Sequence, residues 1–536
     1  MSLSEIVPGN RQSVTPGRVK AVLWFCGALI GGILLLFIVL ERLGLPVSIG
    51  RLWFVGLLGL ALVGCCWLGR TLTSPDYFFA GRRLGVGVLG LGGLADWIGG
   101  AFLAILISIP PDQFETLGNP FLLVPALMLG MVLCSTLFVP GFRRVGVSTL
   151  SGLMAWRHQN QGVGVVFALL TALILLILFF AEMRIATYLA SSFANIDIET
   201  ARWIMLLLVV LPTVFGGWLS LAVVNAVFSL WVLISMLAPA ILVSIFRPVL
   251  GTSTVLDNAE SQLSTIRYAD LAGDFPLAEM GTNPGYSIIA IAVFACGFAA
   301  LPHAIARLSL SKNNIAALEG TAWTALCAFL AFSAFPLSVA LLALAELPPG
   351  TELLESQPVL TILPHFAIWL AAINGASVTL FAFSSTLART FRRSRKLDPG
   401  ERSMSLTRGL GVLTALAYAF VPASLMLTAS TYLLLSLGLS AASLFFPLLF
   451  CFWFERVQAG TVILSSLAGS ATVVILARPY EIVPTLLPTI TEVSITIAAG
   501  LGMMASLTVL CAGTLLRALR PAGKPDKRLA QLRNPT

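Results

Sequence analysis

Residues 86–109 read VGVLGLGGLADWIGGAFLAILISI, an apolar segment with one carboxylate, Asp96, near its centre. A carboxylate inside a membrane helix is costly and usually marks an ion or substrate path. Glycine pairs flank it at 92–93 and 99–100, and glycine is a poor helix former. Backbone carbonyl and amide groups that lack helical partners are tolerated at this depth where they line a cavity or meet protein partners. The segment therefore predicts a functional broken helix. The alternative is a packing helix with a protonated, hydrogen-bonded Asp96.

Composition places the whole chain in the membrane class. Of its 536 residues, 58% are hydrophobic and 10% are charged, and the mean hydropathy is +0.95. Soluble proteins carry about 25% charged residues. The eight cysteines all lie in apolar runs without metal spacing, and we interpret them as core residues. The sequence lacks GxSxG, HExxH and P-loop motifs, so we do not expect an enzyme or a resident cofactor.

Apolar runs of about 20 residues, the length needed to span a bilayer, recur along the chain. We predict an all-α integral membrane protein with about fourteen transmembrane helices. The candidate spans are 20–41, 52–69, 86–109, 120–139, 163–189, 202–217, 222–246, 285–303, 320–345, 364–388, 407–428, 431–453, 460–478 and 490–516.

Fourteen spans place both termini on the same side of the membrane. Most basic residues fall on that side, before the first span and after the second, fourth, tenth and fourteenth. The positive-inside rule therefore predicts cytoplasmic termini in a bacterial-type inner membrane. The net charge of +8 fits this topology and contact with anionic lipid, so nucleic acid is not expected as a partner.

A second segment, 285–303, is interrupted by Gly297 and Pro302 and ends at His303. Transporters with inverted repeats have paired, Gly- or Pro-interrupted segments at matching places in their two halves. Five candidate spans begin at each interrupted segment, so the halves run in opposite directions. We therefore predict two inverted five-helix repeats. The predicted domains are 1–85 (tail and two extra helices), 86–246 (first repeat), 247–284 (acidic extracytoplasmic loop), 285–453 (second repeat), 454–516 (two C-terminal helices) and 517–536 (basic cytoplasmic tail).

Six segments in this order resemble the solute:sodium symporter family, and in particular its acetate-permease-like branch. The similarity covers roughly 70–520 and agrees with the repeat, because the family has the leucine-transporter-type 5+5 inverted repeat. The segments are SPDYFFAGRRL (74–84), ADWIGGAF (95–102), AEMRIATYL (181–189), VFGGWLSLAVVNAVFSLWVLI (214–234), AALPHAIARL (299–308) and LSLGLSAASLFFPLLFCFW (435–453).

The resemblance implies a sodium site between the first and eighth core helices. The cation-binding candidates at the matching positions are Leu94, Asp96, Trp97, Ala371, Asn374 and Gly375. The family has two hydroxyl side chains where this chain has Asn374-Gly375. Asn374 still offers an amide oxygen, whereas Gly375 offers no side chain. The altered site leaves open sodium coupling, proton coupling through Asp96, or no coupling.

The resemblance also implies a solute pocket beside the broken helices. Its candidate residues are Gly93, Phe294, Gly297 and Phe298, with ordinary core packing as the alternative for the two phenylalanines. A small carboxylate could be held by free backbone amides at a half-helix N-terminus. We expect Glu182 to pair across helices, with a functional role as the alternative, and His303 to act as a cap or a cytoplasmic gate.

The sequence thus predicts a secondary transporter that couples sodium or a proton to a small organic solute, such as the monocarboxylate acetate, by alternating access. The alternative is a transport-inactive or sensory membrane protein that retains the fold and requires a partner chain. Substrate identity, the coupled ion, the oligomeric state, a small partner subunit and the role of the first span stay open.

Overall fold

The computed structural model describes most of the hydrophobic part of the chain. The described residues are 47–108 except 72 and 83, 120–250, 284–344, 358–390, 399–422, 426–477 except 456, 494–519, and scattered positions between 24 and 39. The predicted span 20–41, loop 247–284 and tail 517–536 lie wholly or largely outside them.

The named elements of the described chain are helices. In chain order they are α1 (Val47–Leu68), α2 (Ser74–Phe79), α3 (Val86–Trp97), α4 (Gly100–Ser108), α5 (Leu123–Leu133), α6 (Val139–Val145), α7 (Leu150–His158), α8 (Gln161–Ala194), α9 (Ile198–Phe215), α10 (Gly217–Leu250), α11 (Pro284–Ala299), α12 (Pro302–Leu308), α13 (Asn314–Leu344), α14 (Pro358–Thr390), α15 (Pro399–Ala419), α16 (Ala429–Ser440), α17 (Phe446–Trp453), α18 (Ala459–Ala477) and α19 (Ile495–Ala518).

Two of these spans contain a π-helical turn. Cys134–Phe138 joins α5 to α6, and Ala441–Phe445 joins α16 to α17. The two turns meet through Phe138 and Phe445, whose ring centroids are 5.8 Å apart. Such turns are frequent at functional sites, and this pair lies where one helix of each half packs on the other.

Among the described residues, nine helices are long and apolar enough to cross a membrane, or up to eleven when each bent pair is counted as one span. The predicted total of fourteen is therefore not confirmed. The predicted span 407–428 is the helix α15, which ends at Ala419 and begins with a charged turn containing Glu401 and Arg402. These charges lower the hydropathy of the helix below that of its neighbours.

The structure breaks both interrupted segments where the sequence predicts it. Helices α3 and α4 are bent by 61° and α11 and α12 by 52°. Ile98 leaves the helical region with φ −120° and ψ 86°, next to the glycine pair at 99–100. Pro302 begins α12, because proline has no N–H for the preceding helix and fits the first turn of the next.

The packing of the two broken helices repeats between the halves. Helix α3 packs on α13 and α10, and α11 packs on the corresponding helices of the other half, α5 and α16. The third helix of each half, α8 and α14, pack on one another at the centre. This pattern is the 5+5 inverted repeat predicted from the interrupted segments.

Candidate functional site

Asp96 lies in the last turn of α3, where the helix break opens, and its carboxylate is buried. The guanidinium of Arg307, on α12, holds it. Arg307 Nη1 donates to Oδ1 at 3.2 Å, and Nε lies 3.1 Å from Oδ2. His303 Nε2 lies 2.8 Å from the carbonyl oxygen of Asp96. Helix α3, which precedes the first break, and helix α12, which follows the second, are therefore joined by a charged pair and a hydrogen bond.

Glycine makes room for this pair. A Cβ on Gly92 would collide with Nη2 of Arg307 and lie 2.9 Å from its Cζ. Arg307 was absent from the predicted site, and its only sequence signal is its place in the PHAIAR motif. His303, predicted as a cap or cytoplasmic gate, is the second link between the two half-helices.

Glu182 approaches the same break from the opposite side. It lies on α8, its side chain is buried, and its Oε2 accepts a hydrogen bond from the Ala101 amide at 3.2 Å. The Gly100 amide also donates to this carboxylate. A carboxylate at a helix N-terminus satisfies open amides and favours the positive end of the helix dipole. The sequence analysis considers free amides at a half-helix N-terminus as a holder for a solute carboxylate, and at the start of α4 the carboxylate of Glu182 accepts from the Ala101 amide.

Helix α14 forms the wall behind Glu182. A Cβ on Gly375 would lie 2.8 Å from the carboxyl carbon of Glu182 and 3.1 Å from Oε2. Thr379, one turn further, donates to the Gly375 carbonyl at 2.8 Å. Ala371 and Asn374 are buried on the same helix. The eighth core helix thus meets the first at the break, and the carboxylate of Glu182 fills the space that a side chain at position 375 would need.

A small cavity lies between the two breaks. It is bounded by the end of α3, the start of α4, α8, α14 and the break between α11 and α12. Its lining residues are Ala95, Asp96, Trp97, Gly99, Phe102, Leu178, Glu182, Phe298, Leu301, His303, Gly375, Thr379, Leu433 and Leu437. The volume of about 20 Å³ admits about one water molecule, so a larger solute requires the surrounding helices to move apart.

The cavity contains part of each predicted set. Of the cation candidates, Asp96, Trp97 and Gly375 line it, and of the solute candidates only Phe298 does. Leu94 accepts a hydrogen bond from Ile98 through its carbonyl, at 2.6 Å.

The other solute candidates face neighbouring helices. Gly93 packs against Thr324, whose Cγ2 would lie 3.1 Å from a Cβ at position 93. Gly297 packs against the backbone of Leu437, and Phe294 is buried without lining the cavity. These three residues thus shape the packing of the broken helices around the cavity.

The model of the sodium:solute symporter family matches residues 77–347. A Na⁺-coupled sialic acid symporter, solved in a substrate-bound outward-open state, is similar with a TM-score of 0.63 and 16% identity, covering 89% of this chain and 98% of that chain. At this identity the likeness shows the fold alone.

Two further solved structures match less closely. A nucleobase-cation-symport-1 family transporter, in a closed conformation with bromovinylhydantoin bound, has a TM-score of 0.44 and 13% identity, covering 86% of this chain and 99% of that chain. A manganese transporter of Eremococcus coleocola has a TM-score of 0.46 and 15% identity, covering 81% of this chain and 95% of that chain. No curated protein sequence matches this chain. The family match covers half of the chain, and with the paired broken helices it shows that this protein belongs to the sodium:solute symporter family.

Proposed function

We propose that the protein is a cation-coupled symporter of a small organic solute, by alternating access, with a monocarboxylate such as acetate as the substrate class. The observation that carries the proposal is the cavity between two broken helices, with a carboxylate on each side of the first break. Transporters of this type bind ion and solute where discontinuous helices expose backbone groups near the membrane centre. Family membership supports cation coupling, whereas the monocarboxylate rests on resemblance to one branch.

Sodium or a proton is the coupled ion, and its candidate residues stay those predicted: Leu94, Asp96, Trp97, Ala371, Asn374 and Gly375. The solute would lie near Phe298, with Gly93, Phe294 and Gly297 supporting the helices around it. Separation of α3 from α12 would open the cavity to the cytoplasm, and that step breaks the contacts of Asp96 with Arg307 and His303. The pocket has mostly apolar walls, which suits a solute with few polar groups.

The proposed setting is a bacterial-type inner membrane with both termini cytoplasmic, and membrane lipid and the solute as partners. The domain boundaries proposed are those of the sequence analysis, with repeats at 86–246 and 285–453. A small partner subunit or an oligomer stays open.

A second candidate function is a transport-inactive or sensory membrane protein. The observation that favours it is the loss of the family's hydroxyl pair at Asn374-Gly375, together with the buried pair that ties α3 to α12. Such a protein would bind a solute without moving it, and would act through a partner chain.

Uptake into proteoliposomes tests the proposal. Labelled acetate, propionate, pyruvate and proline would be offered with a sodium gradient or a proton gradient imposed separately. We expect accumulation of at least one monocarboxylate under one of the gradients, and little of proline. Folded protein that accumulates none of the four under either gradient would overturn the symporter proposal in favour of the second candidate.

Phe298 offers a test of the solute pocket. Its ring lines the cavity and makes an edge-to-face contact with Phe102, at 5.9 Å between ring centroids. We expect Phe298→Ala to change the solute preference of uptake towards larger monocarboxylates, with a several-fold change in KM. Phe294→Ala is the matched control: that ring is buried away from the cavity, so its loss lowers stability by about 3–5 kcal/mol without changing the preference. Equal effects of the two variants on preference would place the pocket elsewhere.

A further inference from the structure

We propose that Glu182 is a ligand of the coupled sodium ion, and that its carboxylate takes over the role of the side-chain oxygen missing at Gly375. The inference rests on the proposed symport function and adds to it a residue of α8, a helix that the resemblance does not assign to the cation site.

The Glu182 side chain is buried, and its residue exposure is 2%. Within the part of the chain that the structure describes, no basic side chain forms an ion pair with it. The nearest arginine in sequence, Arg184, donates instead to the carbonyl of Met426 at 3.4 Å. A buried carboxylate without a cationic partner is costly, because amide hydrogen bonds leave its charge uncompensated. A mobile cation in the adjoining cavity would supply the missing charge.

The Glu182 carboxylate lies against two glycines, Gly99 in the break and Gly375 on α14. A Cβ at either position would collide with Glu182 or press within 3.1 Å of it. Gly375 therefore does more than remove the hydroxyl that the family carries there. Because it has no side chain, it leaves space for the carboxylate of Glu182, on α8, to reach the position that the hydroxyl would occupy.

The cavity offers further oxygen ligands besides the carboxylate of Glu182. The last hydrogen bond of α3 runs from the Ile98 amide to the Leu94 carbonyl. The carbonyls of Ala95 and Trp97 come after that carbonyl, at the C-terminal end of the helix, where helical amide partners run out. Both residues line the cavity, as does Thr379, whose hydroxyl lies on α14. Unwound carbonyls at the C-terminal end of a half-helix are typical sodium ligands in transporters. A carboxylate, two carbonyls and a hydroxyl form an all-oxygen set for a hard cation, whereas a proton would need only the carboxylate.

Asp96 does not compete for this role, because its carboxylate is held by Arg307 on the other side of the break. With sodium as the coupled ion, Asp96 thus joins the half-helices and Glu182 faces the ion, whereas Asp96 remains a candidate group for proton coupling.

Binding of ²²Na⁺ to purified protein in detergent tests the inference without transport. Glu182→Gln keeps the size of the side chain and removes its charge. We expect it to weaken sodium binding at least about 30-fold, the effect of removing one partner of a buried charge pair. Glu319→Gln is the matched control, because Glu319 is exposed on α13, and it should bind as the parent protein does. A variant that elutes as an aggregate is replaced by Glu182→Asp, for which weakened but measurable sodium binding is expected.

The outcomes separate this inference from the proposed function. Sodium binding that depends on Glu182, in a protein that accumulates no solute, supports the ligand and overturns symport. Sodium-driven uptake with unchanged ²²Na⁺ binding in Glu182→Gln supports symport and overturns the ligand. Uptake driven only by a proton gradient, with no ²²Na⁺ binding to the parent protein, overturns the sodium ligand too.

Discussion

Replacement of Arg307 by methionine is expected to destabilise the protein strongly. The change leaves the Asp96 carboxylate buried beside an apolar side chain, since both partners of the pair are at most 2% exposed. Breaking a buried pair by removing one partner costs about 3–5 kcal/mol. We therefore expect Arg307→Met to lower the apparent melting temperature in detergent clearly and to abolish solute uptake. Thermal unfolding followed by size-exclusion chromatography measures the first effect.

Two variants serve as controls for this result. Arg402→Met removes an exposed arginine from α15, and it should leave the melting temperature unchanged. The double variant Asp96→Asn/Arg307→Met removes both charges, so it should recover much of the lost stability, because no uncompensated charge stays buried. A double variant no more stable than Arg307→Met would show that the guanidinium acts through packing, and not by neutralising Asp96.

The second large effect is expected from Gly375→Ser, which restores a hydroxyl at the position where the family carries one. The new side chain would begin 2.8 Å from the carboxyl carbon of Glu182 and 3.0 Å from its Cγ. Overpacking a filled interior typically costs about 1–3 kcal/mol, and here it also pushes the carboxylate away from the Ala101 amide. We expect Gly375→Ser to reduce sodium binding and uptake at least about tenfold, although it makes the sequence more like that of the family.

A compensating change distinguishes a collision from a general defect. Glu182→Ala/Gly375→Ser removes the carboxylate that occupies the space, so the serine hydroxyl can reach the cavity beside Asn374. This double variant should recover the thermal stability that Gly375→Ser alone loses, because the collision is removed. Gly409→Ser is the control for the substitution, because a Cβ there meets no atom within 4 Å, and full activity is expected. If Gly375→Ser binds sodium as well as the parent protein does, then Glu182 does not fill the position as described.

The sequence predicts the parts of the site that are set by local chemistry. Glycine pairs and Pro302 mark both helix breaks, because each changes the backbone of its own segment regardless of the rest of the chain. The repeat follows from the order of these breaks. The family resemblance then assigns the first and eighth core helices to the ion, and the structure brings these helices together at Gly100, which packs against Ala372 of α14.

Contacts between distant segments could not be predicted in the same way. Arg307 and Asp96 are 211 positions apart, and no periodicity indicates which arginine reaches which carboxylate. Glu182 pairs across helices as expected, but no pattern in its own segment indicates that its described partners are backbone amides at the start of α4. In the sequence alone, Gly375 is the loss of a hydroxyl ligand. Only its contact with Glu182 in the structure shows that it also leaves space for a carboxylate. The sequence also does not indicate that Gly93 and Gly297, predicted as solute contacts, pack against Thr324 and Leu437, because the residues on one face of a helix do not specify which helix lies opposite.

The separation of Asp96 from Arg307 has a consequence for how the protein is made. A ribosome adds about 5–20 residues per second, so the 211 positions between the two residues correspond to roughly 10–40 s of synthesis. During that time the segment with Asp96 has left the ribosome, while its guanidinium partner does not yet exist. Charged residues lower the tendency of a segment to insert into the bilayer. The first broken helix therefore depends on the insertion machinery, or on the water-facing side of the membrane, until the second half of the chain has been synthesised.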